Sequence, residues 1–286
     1  MTLRVTRADG LVTVQDRGRV GWAHVGVPRA GALDAPAADL ANRLVGNLAD
    51  AAVLETTLLG VGFVTDRALT FAVTGAPCEV VADGRSRPHG EPVTVAAGTL
   101  VEVGAARAGV RSYVAVAGGL DVAPVMGSRS TDTLALLGPP PVVAGTELPV
   151  APSSGGPRPV DVSGPRPTTG PLTVSRGPRA DWFTPDAWRL LTDAAWVVTP
   201  DSNRIGLRLD GARLARARVG ELPSEGLVAG AVQVPPDGRP VVLLADHPTT
   251  GGYPVVAVVA AADLARCAQL RPGDVVRFSA RPPAAG

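Results

Sequence analysis

The chain contains no lysine: among its 286 residues every basic side chain other than three histidines is an arginine. That absence excludes a P-loop lysine, a Schiff-base lysine and a biotin-carrying lysine. Any phosphate or carboxylate must be gripped by the planar fork of arginine or by backbone amides. Cysteine is nearly as scarce. Cys78 and Cys267 lie far apart and outside any paired zinc spacing, which predicts reduced thiols in a cytoplasmic protein. A three-histidine metal centre would need His24, His89 and His247 together, and no carboxylate cluster marks a metal seat, so no metal site is expected. There is no G-x-S-x-G elbow, no H-E-x-x-H and no dinucleotide glycine fingerprint after a strand. Charge of one sign is missing too: the net charge is +1, which argues against a nucleic-acid or membrane surface. The longest apolar run, residues 255–262, is too short to span a bilayer, and MTLRVTRADG has no apolar stretch of the kind a signal peptide needs.

What is present is strand signal. Short β-branched runs bounded by glycine or proline recur at residues 69–73, 93–97, 100–104, 112–119, 232–235, 240–246, 253–259 and 274–278. Such spacing predicts an all-β barrel or sandwich. Helices are few. In DAPAADLANRLVGN, Asp34 is placed to cap, Pro36 suits the first turn, and Gly46-Asn47 can stop the helix. TPDAWRLL starts with Thr184 as cap and Pro185 at the first helical position, and AADLARCA is a third, shorter helix. Residues 152–171 are rich in Pro, Gly, Ser and Thr without an apolar period, which reads as a linker. The expected organisation is an N-terminal β half over residues 1–151, that linker, and a C-terminal β half over residues 172–286. AGTLVEVG resembles PGDVVRFS, and ADLANRL resembles ADLARCA, as two related halves would.

Chemistry concentrates in four irregular polar stretches. QDRGRVGWAHVGVPRAGALD (residues 15–34) is a loop after a first strand, whose Arg17, Arg19 and Arg29 can bind an anion or pair internally with Asp16 and Asp34. MGSRSTDT (residues 126–133) offers the hydroxyls of Ser128, Ser130 and Thr131, the fork of Arg129, and a glycine-led turn able to form an anion nest. The same residues can instead be N-caps leading into LALLG. DSNRIGLRLDG (residues 201–211) places Asn203 and Arg204 at a turn, with Arg208 on the same strand face as Arg204. Two such arginines require either a carboxylate partner, with Glu221 and Glu225 as candidates, or an anionic ligand. In ADHPTTGGYP (residues 245–254), His247 can act as a general base near neutral pH. Gly251 and Gly252 can let amides approach a ligand. The alternative is a loop whose glycines supply positive φ beside an idle, exposed histidine.

Together QDRGRVGWAHVGVPRAGALD, ANRLVGN, AVLETT, VAVAGGLDV, MGSRSTD, SNRIGLRLDG, SEGLVAGAVQVPPDGRPVVLLAD and TTGGYP, in this order over residues 14–278, resemble the 5-oxoprolinase C-subunit family. It is also called the biotin-dependent carboxyltransferase or allophanate hydrolase subunit 2 family. The resemblance implies a mainly β fold of two cyclophilin-like β-barrel halves with a few short helices. It implies partners that are the B-like and A-like proteins of 5-oxoprolinase, in a complex that opens 5-oxoproline to L-glutamate with ATP and Mg2+, this chain being inactive alone. It equally admits a carboxyltransferase component that acts on urea or a small amide, with a separate biotin carrier because this chain bears no biotin. A third alternative is a regulatory partner of a B-like kinase inhibitor. Any of these requires an exposed apolar surface for a partner. On the matching positions, the candidate catalytic residues are His247, Arg129 and Asn203. The candidates for substrate or nucleotide binding are Arg17, Ser128, Ser130, Thr131, Arg204, Gln233, Thr249, Thr250, Gly251, Gly252 and Tyr253.

Overall fold

The computed structural model describes residues 1–153, 155–156, 170–218, 220 and 222–281. Most of the expected linker, and Glu221, lie outside the described residues. The chain is mainly β and divides into two compact units. One comprises Met1–Val20, Ala30–Asp132 and Leu136–Arg166; the other comprises Gly21–Arg29, Thr133–Ala135 and Pro167–Gly286.

The first unit contains β1 (Thr2–Ala8), β2 (Val12–Gln15), β3 (Val53–Thr57), β4 (Val61–Thr65), β5 (Leu69–Gly75), β6 (Cys78–Ala82), β7 (Arg85–Arg87), β8 (Val93–Val95), β9 (Val101–Ala106), β10 (Arg111–Val116) and β11 (Glu147–Pro149). They form a six-stranded sheet, β11-β1-β4-β9-β6-β7, and a five-stranded sheet, β2-β3-β10-β5-β8. Period-2 alternation explains the layering. Leu54, Phe71, Val73, Val114 and Val116 point from the second sheet into a core shared with Leu3, Val5, Phe63 and Val103 of the first. Their strand neighbours Val53, Ala72, Tyr113 and Ala115 point the other way, onto helix α1 (Ala35–Leu44). Alanines on both sides of that contact, Ala38 and Ala41 facing Ala72 and Ala115 across one cluster, suit a close helix approach. With both faces covered, β10 is buried at every position, Arg111 and Ser112 at its start included.

The first turn of α1 is fixed as its sequence suggests. The Asp34 side chain accepts the Ala37 amide at 3.1 Å, and the chain leaves the helix through Gly46 at φ +79°. A buried polar group also holds this end. Glu55 Oε2 accepts from the Leu33 amide at 3.0 Å and from the Tyr113 hydroxyl at 2.8 Å, and the Tyr113 oxygen accepts the Asp34 amide at 2.7 Å. Burial, then the charges of Glu55 and Asp34, push the Tyr113 phenol well above its usual 10.0. A raised folded value means that the unfolded chain loses its phenolic proton first. The associated stability is therefore intact below pH 10 and lost progressively above it. Tyr113→Phe is expected to cost about 1–3 kcal/mol near neutrality and to flatten the decline of stability above pH 10, measured by denaturant titration across pH.

The second unit contains β12 (Leu172–Arg176), β13 (Trp196–Val198), β14 (Gly206–Asp210), β15 (Glu225–Gly226), β16 (Ala231–Gln233), β17 (Val241–Leu243), β18 (Thr250–Gly251), β19 (Val255–Val259), β20 (Val275–Val276) and β21 (Phe278–Ala280). Helices α2 (Pro185–Asp193) and α3 (Ala261–Cys267) complete it, and Thr184 caps α2 ahead of Pro185 as expected. Eight strands run in the order β20-β13-β14-β17-β16-β19-β12-β21. The two outermost strands, β20 and β21, are separated in sequence only by Arg277. The sheet edges therefore meet, and the sheet is a nearly closed barrel with little free edge. DVVRF, read as one strand, is split across this seam. Trp196 is fully buried in this unit, its indole N–H donating to the Leu191 carbonyl at 3.1 Å.

All eight apolar runs singled out above coincide with strands, and all three helices form. LALLG does not become a helix: residues 133–135 are a turn. Among the described residues no helix is long and apolar enough to cross a membrane.

Candidate functional site

The residues selected from sequence fall into three local groups. In the first unit, the turn after Val125 is a tight hairpin through Met126 and Gly127, both at positive φ, closed by Val125–Ser128 hydrogen bonds. It aims its donors at Asp16, which follows β2. Asp16 Oδ1 accepts from Ser128 Oγ at 2.6 Å, Ser130 Oγ at 2.6 Å and the Gly18 amide at 2.8 Å, and Oδ2 accepts the Arg129 amide at 2.6 Å. The anion nest expected in MGSRST exists, but the chain's own carboxylate fills it. Asp16 is thus held by hydroxyl and amide donors, and the Asp34 side chain caps α1. Arg17 reaches Asp39 at 2.9 Å on the surface. Arg19 is buried and donates to the carbonyls of Val125, at 3.2 Å, and Ser130. The Arg129 guanidinium turns outward to Asp121 at 2.9 Å. Thr131 is buried; its amide donates to Val14 and its carbonyl accepts from the Gln15 carboxamide.

The second group lies in the second unit. The β14–β17 ladder continues past its strands, with Leu244 N donating to Ile205 O and Asp246 N to Arg204 O. That sets Asn203 and Arg204 alongside Asp246 and His247. Arg204 and Asp246 are 1% and 0% exposed and form a bidentate pair, Nε to Oδ2 at 2.9 Å and Nη2 to Oδ1 at 2.8 Å. Thr133 adds its amide at 3.0 Å and its hydroxyl at 2.7 Å to Asp246 Oδ2. Asp246 is thus a carboxylate partner of Arg204, while Glu225 pairs with Arg179 and Glu221 lies outside the described residues. Arg204 also does not share a strand face with Arg208: it sits in the bend before β14, while Arg208 is exposed within that strand. The bend has a local cause, since Asn203 Oδ1 accepts from the amides of Ile205 and Gly206. His247 is buried, not exposed. Its Nδ1 lies 2.7 Å from the Pro248 carbonyl. A carbonyl only accepts, so Nδ1 is the donor in this contact and Nε2 is the ring nitrogen left to act as an acceptor.

The third group surrounds β18. Thr250 and Gly251 pair with Gly226 and Glu225, and Thr249 O accepts the Leu227 amide. Neither Gly251 nor Gly252 has a positive φ. A Cβ on Gly251 would lie 2.8 Å from the Leu227 side chain and 3.1 Å from Gln233 Nε2; on Gly252 it would lie 3.0 Å from the Leu222 carbonyl. Backbone freedom is not the reason for glycine here; an added Cβ would press on flexible side-chain ends at Gly251 and on a backbone carbonyl at Gly252. Gln233 donates to the Tyr253 carbonyl at 3.0 Å, the Tyr253 side chain is half exposed, and Glu225 is held by Arg179. Gln233 lies opposite Val241, at the end of β17 away from His247. Sequence reasoning missed Asp16 as an acceptor, Thr133, and Asp246 as a partner of Arg204. The available signal was a carboxylate placed directly after an apolar run, VTVQD and VVLLAD, where burial and hence a partner are expected.

Known proteins share this fold and much of this sequence. The family described as carboxyltransferase domain, subdomain A and B, matches residues 25–280. The chain is 39% identical to the C subunit of 5-oxoprolinase from Escherichia coli, over 96% of this chain and 90% of that protein. It is 32% identical to urea amidolyase of Saccharomyces cerevisiae, over 96% of this chain but 16% of that much longer protein. The solved urea carboxylase of Kluyveromyces lactis superposes with a TM-score of 0.89 at 29% identity, over 97% of this chain and 27% of that one. The chain spans little more than half, or less, of the solved chains it matches.

Proposed function

The chain belongs to the carboxyltransferase-domain family, subdomains A and B, and we propose that it is the C subunit of a cytoplasmic, ATP-dependent 5-oxoprolinase that converts 5-oxoproline to L-glutamate. The observation that carries this reading is the near end-to-end match to a protein that is itself one 5-oxoprolinase subunit, 90% of whose length is covered. The urea amidolyase match leaves most of that protein without a counterpart here. An enzyme subunit of this kind works with others, and the proposed partners are the B-like and A-like proteins of the same complex.

The chemistry asks for activation of a poor electrophile. ATP supplies it by phosphorylating the lactam oxygen, so that 5-oxoproline, ATP and water give glutamate, ADP and phosphate. The anion-binding groups named on this chain are already engaged: Arg204 by Asp246, Arg129 by Asp121, and Thr250-Gly251 by β15. Nor do three His, Cys, Asp or Glu side chains gather as a metal seat among the described residues. No nucleotide step is therefore assigned to these residues. His247, with Nε2 as acceptor, is the proposed general base for water.

A second reading, carboxyl transfer to urea from a separate biotin carrier, is favoured by the fold match to urea carboxylase. A substrate panel separates the two. The complete set of subunits is expected to release phosphate and glutamate from 5-oxoproline and ATP, and to leave urea untouched when given a biotin carboxylase and carrier. Turnover of urea with a silent 5-oxoproline assay would reverse the assignment.

A further inference from the structure

The Asp16 nest carries an inference about how substrate is recognised. A glycine-led turn rich in N–H and O–H groups is usually read as a seat for phosphate or carboxylate. Here the seat is filled from within, and the sign of the surface is reversed. Oδ1 takes two serine hydroxyls and an amide, which saturates it, whereas Oδ2 takes the Arg129 amide alone. A carboxylate oxygen accepts two hydrogen bonds comfortably, so Oδ2 keeps an acceptor position. Asp16 as a residue is half-buried.

The surroundings hold this carboxylate more firmly than a loop tie requires. Met126 sits at φ +53°, in the hairpin that delivers Ser128 and Arg129. Ala30 also sits at φ +53°, next to Gly31, and the following amide, Ala32 N, donates to Asp16 O at 2.9 Å. The left-handed region is disfavoured for any residue with a side chain, and such strain collects where geometry is fixed for function. Beneath, the buried Arg19 fixes the carbonyls of Val125 and Ser130 that flank the donors. Both serines are held in turn: Ser128 Oγ accepts the Ser130 amide at 3.0 Å and Ser130 Oγ accepts the Asp16 amide at 2.9 Å.

We propose that Asp16 is a substrate-binding residue whose Oδ2 accepts the N–H of a neutral amide, a lactam or a urea-type nitrogen, and that residues 126–131 position this acceptor and do not bind an anion. The inference rests on the reading that the substrate is such an amide. It assigns Ser128 and Ser130 to positioning and leaves phosphate to other groups.

The test compares 5-oxoproline with N-methyl-5-oxoproline, which lacks the N–H donor, by calorimetric binding to the full chain assembled with its partner proteins. Wild type is expected to prefer 5-oxoproline by at least roughly tenfold, as a site built to pair an N–H should. Asp16→Asn should shrink that preference to about threefold or less. An unchanged preference in Asp16→Asn overturns the proposal. Should that variant fail to fold, wild type decides alone: no preference between the two ligands, or no binding of 5-oxoproline together with no preference for urea over tetramethylurea, overturns it. Absent turnover of 5-oxoproline by the complete wild-type set would count against the proposed function, while the binding ratio reads the Asp16 contact separately.

Discussion

Arg204→Met is expected to destabilise the protein by about 3–5 kcal/mol, because it strands a fully buried carboxylate without its cation. Asp246 is 0% exposed and would retain only the Thr133 amide and hydroxyl. A loss of that size corresponds to a fall in melting temperature of roughly 10 °C. The double variant Arg204→Met/Asp246→Leu should recover most of it, since the penalty comes from the uncompensated charge rather than from the absence of a salt bridge. Denaturant titration of the two singles and the double gives the cycle. Equal loss in single and double variants would contradict the argument.

Glu55→Ala is expected to have a comparable effect, again about 3–5 kcal/mol. Glu55 is fully buried, with Arg111 Nε at 3.5 Å from its Oε1 and Leu33 N and Tyr113 Oη on its Oε2. Removing it takes this carboxylate from Arg111, whose charge is itself buried at 6% exposure. It also frees the Leu33 amide and the phenol that secures the start of α1. Glu55→Gln should fall between, since the amide oxygen still accepts but the charge is gone. Near-native stability of Glu55→Ala by urea titration would show that the network is dispensable.

These two sites also mark where the sequence is legible and where it is not. β-branched runs between glycines locate strands because local pattern and tertiary burial agree for them. The caps at Asp34 and Thr184 are equally local, one side chain reaching an amide three residues on. The barrel seam is not local: nothing in DVVRF says that its two ends belong to opposite edges of one sheet. Partner choice is not local either. Arg204 needs a carboxylate on sequence grounds alone, but Asp246 is far along the chain and is found only when the β14–β17 ladder sets the two side by side. Extending the strand period back to Arg204 fails because Asn203 bends the chain first. The hydroxyls of Ser128 and Ser130 stand out in sequence, but their acceptor, Asp16, is more than a hundred residues earlier. At Gly251 and Gly252 two physical reasons for glycine look identical in sequence, and only the packing against Leu227, Gln233 and Leu222 tells them apart.

The most direct measurement of the central claim is glutamate formation from 5-oxoproline and ATP by this chain with its B-like and A-like partners, repeated with each protein left out in turn. The account predicts turnover by the complete set and none by this chain alone or by the set without it. Full activity in the mixture from which this chain is omitted would contradict it.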